Sequence, residues 1–335
     1  MTASLIVSYD TIKEMKPPYN ITPKILKLLA SISEKLGEAN ANFLSKPTPH
    51  LRKQNRIQTI HASLEIEGNT LSEEQITALL EKKRIVGPKK DIQEILNAID
   101  VYDNTRGYNP LKEESFLKAH QNLMNDLMDE AGKYRKQGVG IVKEAKVEHV
   151  APPYEKVPFL MNNLFDYLND ADEIPLIKSC VFHYELEFIH PFMDGNGRMG
   201  RLWQTLILQE KYPIFEFLPF ETLINNNQKA YYQALSKSDK SGKSTNFIEY
   251  MLEVIDGSIT ERLGYNNRTL TEQDRLEHFA SLHKNEFSRK DYMDVFKNIS
   301  SATASRDLNK GVKLKLFEKT GEKNKTRYKI SNQHN

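Results

Sequence analysis

Residues 190–201 read His-Pro-Phe-Met-Asp-Gly-Asn-Gly-Arg-Met-Gly-Arg. Within twelve residues the chain gathers an imidazole, a carboxylate, three glycines and two guanidinium groups. His190 is suited to general-base work, because imidazole titrates near neutral pH. Asp194 offers a hard oxygen ligand, and Mg²⁺ is usually held by one such carboxylate together with phosphates. Gly195-Asn196-Gly197 lets the backbone turn into an anion-binding nest at a helix start, where unpaired N–H groups and the helix dipole favour negative charge. Arg198 and Arg201 are three apart and project from one side of the first helical turn. Two such forks beside a nest suit a polyphosphate.

These residues need two helices to hold them. Before the loop, Leu176, Ile177, Cys180, Val181, Tyr184 and Phe188 give an apolar helix over 175–189. After it, Leu202, Trp203, Leu206 and Ile207 predict a second over 198–211. The run Gly195-x-Gly197-x-x-Gly200 also fits the dinucleotide fingerprint. That fingerprint requires a preceding strand and a βαβ unit, and a helix stands there instead. His183 and Glu187 share a helix face but lack a third ligand, so they read as packing rather than metal.

The flanks read as helix almost throughout. Ile25, Leu28, Leu29, Ile32 and Leu36 mark one helix, and another runs from about Asn55 to Glu67, with Gly68-Asn69 as its stop. Further helices are expected at about 72–84, 88–106, 113–127, 156–169, 228–237 and 245–262. The interruption from Gly138 to Val150 alternates polar residues with valines and an isoleucine and predicts a β-hairpin. The last sixty residues change character. Helices at about 271–283, 288–297 and 301–310 precede two alternating runs, 314–319 and 326–330, around Gly321-Glu322-Lys323-Asn324. Three helices and a hairpin predict a winged helix-turn-helix. Formal net charge is only +2, yet residues 274–335 carry 14 Lys+Arg against 8 Asp+Glu. The basic charge is concentrated in that module. The single cysteine, Cys180, excludes an intrachain disulfide, and no apolar run is long enough to cross a bilayer, so no membrane role and a cytoplasmic setting are expected.

The segment 190–201 resembles the complete signature of the Fic family, His-Pro-Phe-x-Asp-Gly-Asn-Gly-Arg-x-x-Arg. Gly132-Lys133-Tyr134-Arg135, Pro152-Pro153 and Tyr231-Tyr232 agree with it. The resemblance implies a mainly α fold: a Fic-type helical bundle with a β-hairpin flap, followed by the winged helix. The divisions expected are 1–110, an N-terminal helical region; 111–262, the catalytic core; and 271–332, the winged module. It implies transfer of AMP from ATP, with Mg²⁺, to a Ser, Thr or Tyr hydroxyl of a target protein, self-modification included. His190 would be the base and Asp194 the metal ligand. Asn196 and the Gly195–Gly197 amides would hold the α-phosphate, Arg198 the β-phosphate side and Arg201 the γ-phosphate. Met199 and Gly200 complete the nucleotide-binding run. Val147, Glu148, His149 and Val150 would form the flap that receives the target by strand addition. Tyr231 and Tyr232 would sit near the adenine, and Asp239 falls where the family often has Asn. Gly197 at the variable position argues against the kinase-like branch.

Ser63-Leu64-Glu65-Ile66-Glu67-Gly68 resembles the family's inhibitory motif. There the glutamate, here Glu67, pairs with the second motif arginine, here Arg201, with Ser63 on the same helix face. A homodimer and a DNA partner for the winged helix are further expectations. Two other functions compete: a DNA-binding regulator with a Fic sensor module, and an enzyme that removes AMP.

Overall fold

The computed structural model describes residues 16–42, 49–143, 146–170, 172–268, 272–282, 286–296, 299–321 and 326–331. The described residues are mainly helical. α1 (Pro23–Asn42), α2 (Pro49–Glu65), α3 (Glu73–Leu80), α4 (Lys89–Asp103) and α5 (Glu113–Leu123) lead to a hairpin, β1 (Gly140–Lys143) and β2 (Lys146–Val150). α6 (Val157–Leu168), α7 (Pro175–Ile189), α8 (Asn196–Lys211), α9 (Glu221–Asn226), α10 (Gln228–Ser241) and α11 (Thr245–Arg268) follow. The chain ends in α12 (Glu272–Leu282), α13 (Arg289–Val295), α14 (Ser301–Lys313), β3 (Phe317–Thr320) and β4 (Arg327–Ile330).

Two compact units result, one from residues 1–32 and 56–258, the other from 33–55 and 259–335. α3 and α4 share a unit with α5–α10. α2 begins at Pro49, earlier than the periodicity predicted, because proline is accommodated at a helix's first turn, where its missing N–H costs nothing. It stops at Glu65, and Glu67 lies in the turn beyond. Gly68, at φ 91°, closes that turn, and the Asn69 N–H bonds back to the Leu64 carbonyl.

α7 is the central element of the first unit. It is buried on nearly every side, as its apolar composition requires. α8 packs along it, and Phe116, Phe165, Phe182, Phe192 and Trp203 meet edge-on or stacked beneath the intervening loop. β1 and β2 pair antiparallel, with an irregularity between Ile141 and Val142. The N-terminal segment is tied to distant helices by Tyr19–Glu173, Thr22–Glu249 and Ser31–Asp256 hydrogen bonds.

The second unit has its own core of Leu276, Phe279, Phe287, Tyr292, Ala304, Leu308, Phe317 and Tyr328. β3 pairs with β4, and Phe287 exchanges both backbone hydrogen bonds with Tyr328. One charge enters this core. Asp307 is buried, accepts two bonds from Arg275 (2.6 and 3.0 Å) and accepts another from the Tyr292 hydroxyl at 3.1 Å. Removing one partner of a buried pair leaves the other uncompensated. Asp307→Ala should therefore cost this unit on the order of 3 kcal/mol. Calorimetry should show its unfolding transition at a lower temperature, with Asp307→Asn losing less.

Candidate active site

The loop from His190 to Gly195 joins α7 to α8, and several contacts set its shape. His190 caps α7 in the left-handed region, φ 50° and ψ 59°. Its carbonyl accepts from Arg135 Nε at 2.8 Å, and the Arg135 N–H bonds to the Pro191 carbonyl. The buried Arg135 guanidinium also donates to the carbonyls of Gln137, Pro152 and Ile189. One side chain thus ties the His190 turn to residues on both flanks of the hairpin. His120 holds the other end. Its Nδ1 accepts from the Gly132 N–H (2.8 Å), which leaves Nε2 to donate to the Asp194 carbonyl (3.0 Å), while the ring stacks on Phe192. Burial pushes the His120 pKa down to about 4, so the ring is neutral and its tautomer fixed.

Asn196 closes the loop from within. Its amide oxygen accepts from the Phe192 N–H and its amide nitrogen donates to the Phe192 carbonyl, both at 2.9 Å. Both polar groups of the side chain are spent on loop closure. Gly195 precedes α8 at φ 85°, where a Cβ would crowd Met124 Sδ at 2.9 Å. The first-turn amides of Asn196, Gly197 and Arg198 have no carbonyl four residues behind them in the helix, an arrangement that favours an anion.

The two arginines differ. Arg198 is buried between Asp194 Oδ1 (2.9 Å) and Glu94 Oε1 (3.2 Å). Glu94 is itself buried and accepts from Asn69 (2.8 Å). The Asp194 carboxylate is half-exposed, and one oxygen is occupied by Arg198 and the Gly195 N–H. The remaining donor capacity fits a hard cation that completes its shell with phosphate and water. No cluster of three or more potential metal ligands occurs among the described residues. Arg201 has no exposure. It donates Nε to Ser63 Oγ (3.0 Å) and Nη2 both to the Ser63 carbonyl (2.8 Å) and to Glu67 Oε1 (2.7 Å). Burial lowers its pKa, but the Glu67 carboxylate overrides that and holds it above the ordinary value. Nη1 is buried with no hydrogen-bond partner among the described residues. A Cβ on Gly197 would lie 2.3 Å from Glu67 Oε1. The bare glycine is what gives that carboxylate its place.

Met199 and Gly200 are buried in α8, away from solvent; a Cβ on Gly200 would strike the His183 ring at 2.6 Å. Tyr231 is also buried. Its hydroxyl donates to His183 Nε2 (3.0 Å), while His183 Nδ1 donates to Gln204 (2.6 Å). Tyr231 therefore braces α7 and, through His183 and Gln204, α8. Half-buried Tyr232 packs on its edge, and Asp239 accepts from Tyr184 (2.9 Å). Val147, Glu148, His149 and Val150 all lie on β2, which runs beside α10. Glu94, His120 and Arg135 were not singled out from the sequence as site residues.

A helical bundle with a hairpin, and a His-Pro-Phe loop leading into a glycine-rich helix start, define the class of Fic proteins. A family model described as the Fic/DOC family matches residues 110–208. A solved Fic family protein from Desulfovibrio desulfuricans G20 is 40% identical, covering 96% of this chain and all of that one, at a TM-score of 0.72. The chain belongs to the Fic family. It is 26% identical over 251 residues to protein adenylyltransferase fic-1 of Caenorhabditis elegans, spanning 71% of this chain and 47% of that protein. It is 30% identical over 225 residues to protein adenylyltransferase Fic of Nematostella vectensis, spanning 58% and 51% respectively. The chain thus spans about half the length of these curated relatives. No helix among the described residues is long and apolar enough to cross a membrane.

The neutral, buried His120 makes a testable pH signature. Its folded pKa, about 4, lies below the unfolded value near 6.5, so the unfolded chain takes up the proton first as pH falls. The stability it contributes is complete above pH 6.5 and declines from there toward pH 4. Across that window, parent stability minus His120→Gln stability should fall by up to about 1.4 kcal/mol per pH unit. Denaturant titrations at pH 7.5, 6 and 5 read this difference. A difference independent of pH would refute the assignment.

Proposed function

We propose that this chain is a protein adenylyltransferase held silent by its own Glu67. The observation that carries the reading is the Glu67–Arg201 contact, made at the edge of the anion site at the start of α8. The curated relatives named protein adenylyltransferase support the reaction class. ATP would lay its phosphates along the α8 amides, with Arg198 and Arg201 on the outer phosphates. The partnerless Arg201 Nη1 is a donor ready for a phosphate oxygen. Mg²⁺ would be held by Asp194 and supply charge neutralisation to the departing pyrophosphate.

His190 would accept the proton of a target Ser, Thr or Tyr as its oxygen attacks the α-phosphorus. The new bond is O–Pα, the broken bond is between Pα and the bridging oxygen to Pβ, and pyrophosphate leaves. Arg135 orients that base by fixing the His190 carbonyl. An extended target segment would pair with β2, whose neighbour on one side is β1.

Glu67 opposes this by occupying Arg201. A charge-assisted, partly buried bond contributes on the order of 1.5–3 kcal/mol. That corresponds to roughly ten- to a hundredfold. Ser63 keeps two bonds to Arg201 when Glu67 departs, so the fork stays in position.

With labelled ATP and Mg²⁺, Glu67→Gly should raise self- or target-modification at least tenfold, and Arg201→Ala should erase the gain. An unchanged rate in Glu67→Gly, with ATP still bound, would sink the inhibitory reading. In the Glu67→Gly background, His190→Ala should abolish transfer while ATP affinity persists, and EDTA should abolish it as well. Undiminished transfer by the His190 variant would overturn the assignment of the base.

A further inference from the structure

None of the residues assigned to that chemistry lies at 259–335, and the charge there is not spread evenly. Residues 274–298 hold five Lys+Arg and five Asp+Glu, whereas residues 299–331 hold nine Lys+Arg and three Asp+Glu. Within 274–331 the basic excess therefore lies entirely at 299–331. One of the three acids, Asp307, is turned inward onto Arg275 and adds nothing to the surface.

α14 is sharply two-sided. Ala304, Asp307, Leu308 and Gly311 are buried, and Ser301, Ala302, Arg306, Asn309 and Lys313 are exposed on the opposite arc. The helix is anchored from beneath by the Arg275–Asp307–Tyr292 bonds, so its outer face is presented rigidly. Lys313, Lys315, Lys319 and Lys329 are exposed and make no ion pair with another described residue. Arg306 reaches only its own helix, at Thr303 (3.4 Å). The unit therefore carries exposed cations on α14 and on both faces of the hairpin, with Lys329 opposite Glu318 and Lys319 opposite Tyr328, and they contribute nothing to its core.

We propose that this face binds duplex DNA, with α14 in the major groove and the lysines of its C-terminus and the hairpin on the phosphates. The order helix, helix, helix, hairpin is that of a winged helix-turn-helix. A 13-residue helix is about 20 Å long and 10–12 Å across, and it enters a groove about 12 Å wide. Its exposed start is small, Ser301 and Ala302, which allows close approach. Arg306 and Asn309 then supply the planar fork and the amide that read guanine and adenine edges. The lysines are point charges suited to phosphates, which position a protein without reading sequence. Duplex RNA does not fit this face, because its deep, narrow major groove does not admit side chains on a helix.

The full-length chain is titrated into a fluorescently labelled 30-base-pair duplex pool of random sequence, followed by anisotropy. Binding is expected at 50 mM salt and should weaken on the order of a hundredfold at 200 mM, as about four phosphate contacts dictate. Lys319→Ala with Lys329→Ala should weaken binding to all sequences alike and reduce the salt slope by about two. Arg306→Ala or Asn309→Ala should instead lower the preference for duplexes selected from the pool roughly tenfold or more. Lys319, Lys329 and Asn309 are exposed and make no hydrogen bond or ion pair with another described residue, and Arg306 bonds Thr303 on its own helix, so circular dichroism should stay unchanged. No binding at 50 mM salt overturns the proposal. So does tighter binding to a matched RNA duplex or single strand, or binding that survives Arg306→Glu with Lys313→Glu.

Discussion

A guanidinium with no solvent exposure must be paired, and Arg201 is such a group. Its charge sits on α8, the helix whose start is the proposed anion site, and its partners come from Ser63 and Glu67, more than 130 residues earlier. The requirement to neutralise and hydrogen-bond one buried fork fixes where the end of α2 packs. It also explains why Gly197 is bare: the space a Cβ would take belongs to the Glu67 carboxylate. Arg198 repeats the logic with Glu94 and Asp194, and Glu94 passes the constraint on to Asn69, just beyond the same turn. The segment after α2 is thus bonded, directly or through one intermediary, to both arginines of the motif.

The loop itself is held by neutral contacts. His120 and Asn196 satisfy backbone groups that a tight turn leaves without partners, and Arg135, though charged, bonds only backbone carbonyls there. Each fixes a peptide rather than a substrate. Together they leave the half-exposed Asp194 carboxylate and the α8 amides as the polar groups presented outward.

Much of this was legible from residues alone. α7 falls where its apolar run predicts, because a fully buried helix has no ambiguous face. Ser63 and Glu67 meet Arg201 although α2 ends at Glu65, since the closing turn keeps Glu67 near the helix face. Less legible were partners chosen by tertiary contact. Glu94 lies on the buried stripe of α4 with Ala98 and Val101, and His120 lies on that of α5 with Phe116 and Leu123. A polar residue on an apolar stripe was the available signal, and it names a buried bond without naming the partner. Asn196 and Tyr231 show the converse: their places in a motif point to a ligand, and the hydrogen bonds that their side chains make inside the protein were not legible. α9 is six residues long and holds the buried Glu221, whose pKa burial pushes up to about 8; so short a segment shows no helical period.

The carboxylate proposed to silence the site, Glu67, does not sit on the loop before α8 but in the turn that closes α2. In an enzyme restrained by this contact, inactivity is a population rather than a block. The idle rate measures how often the end of α2 lets go, and it is set by the free energy of that local opening, which is smaller than that of global unfolding. Mild heat or low denaturant would then quicken such an enzyme before inactivating it. Any distant lesion that loosened α2 would register as gain of activity, so that here loss of stability and gain of function are the same event seen at two places.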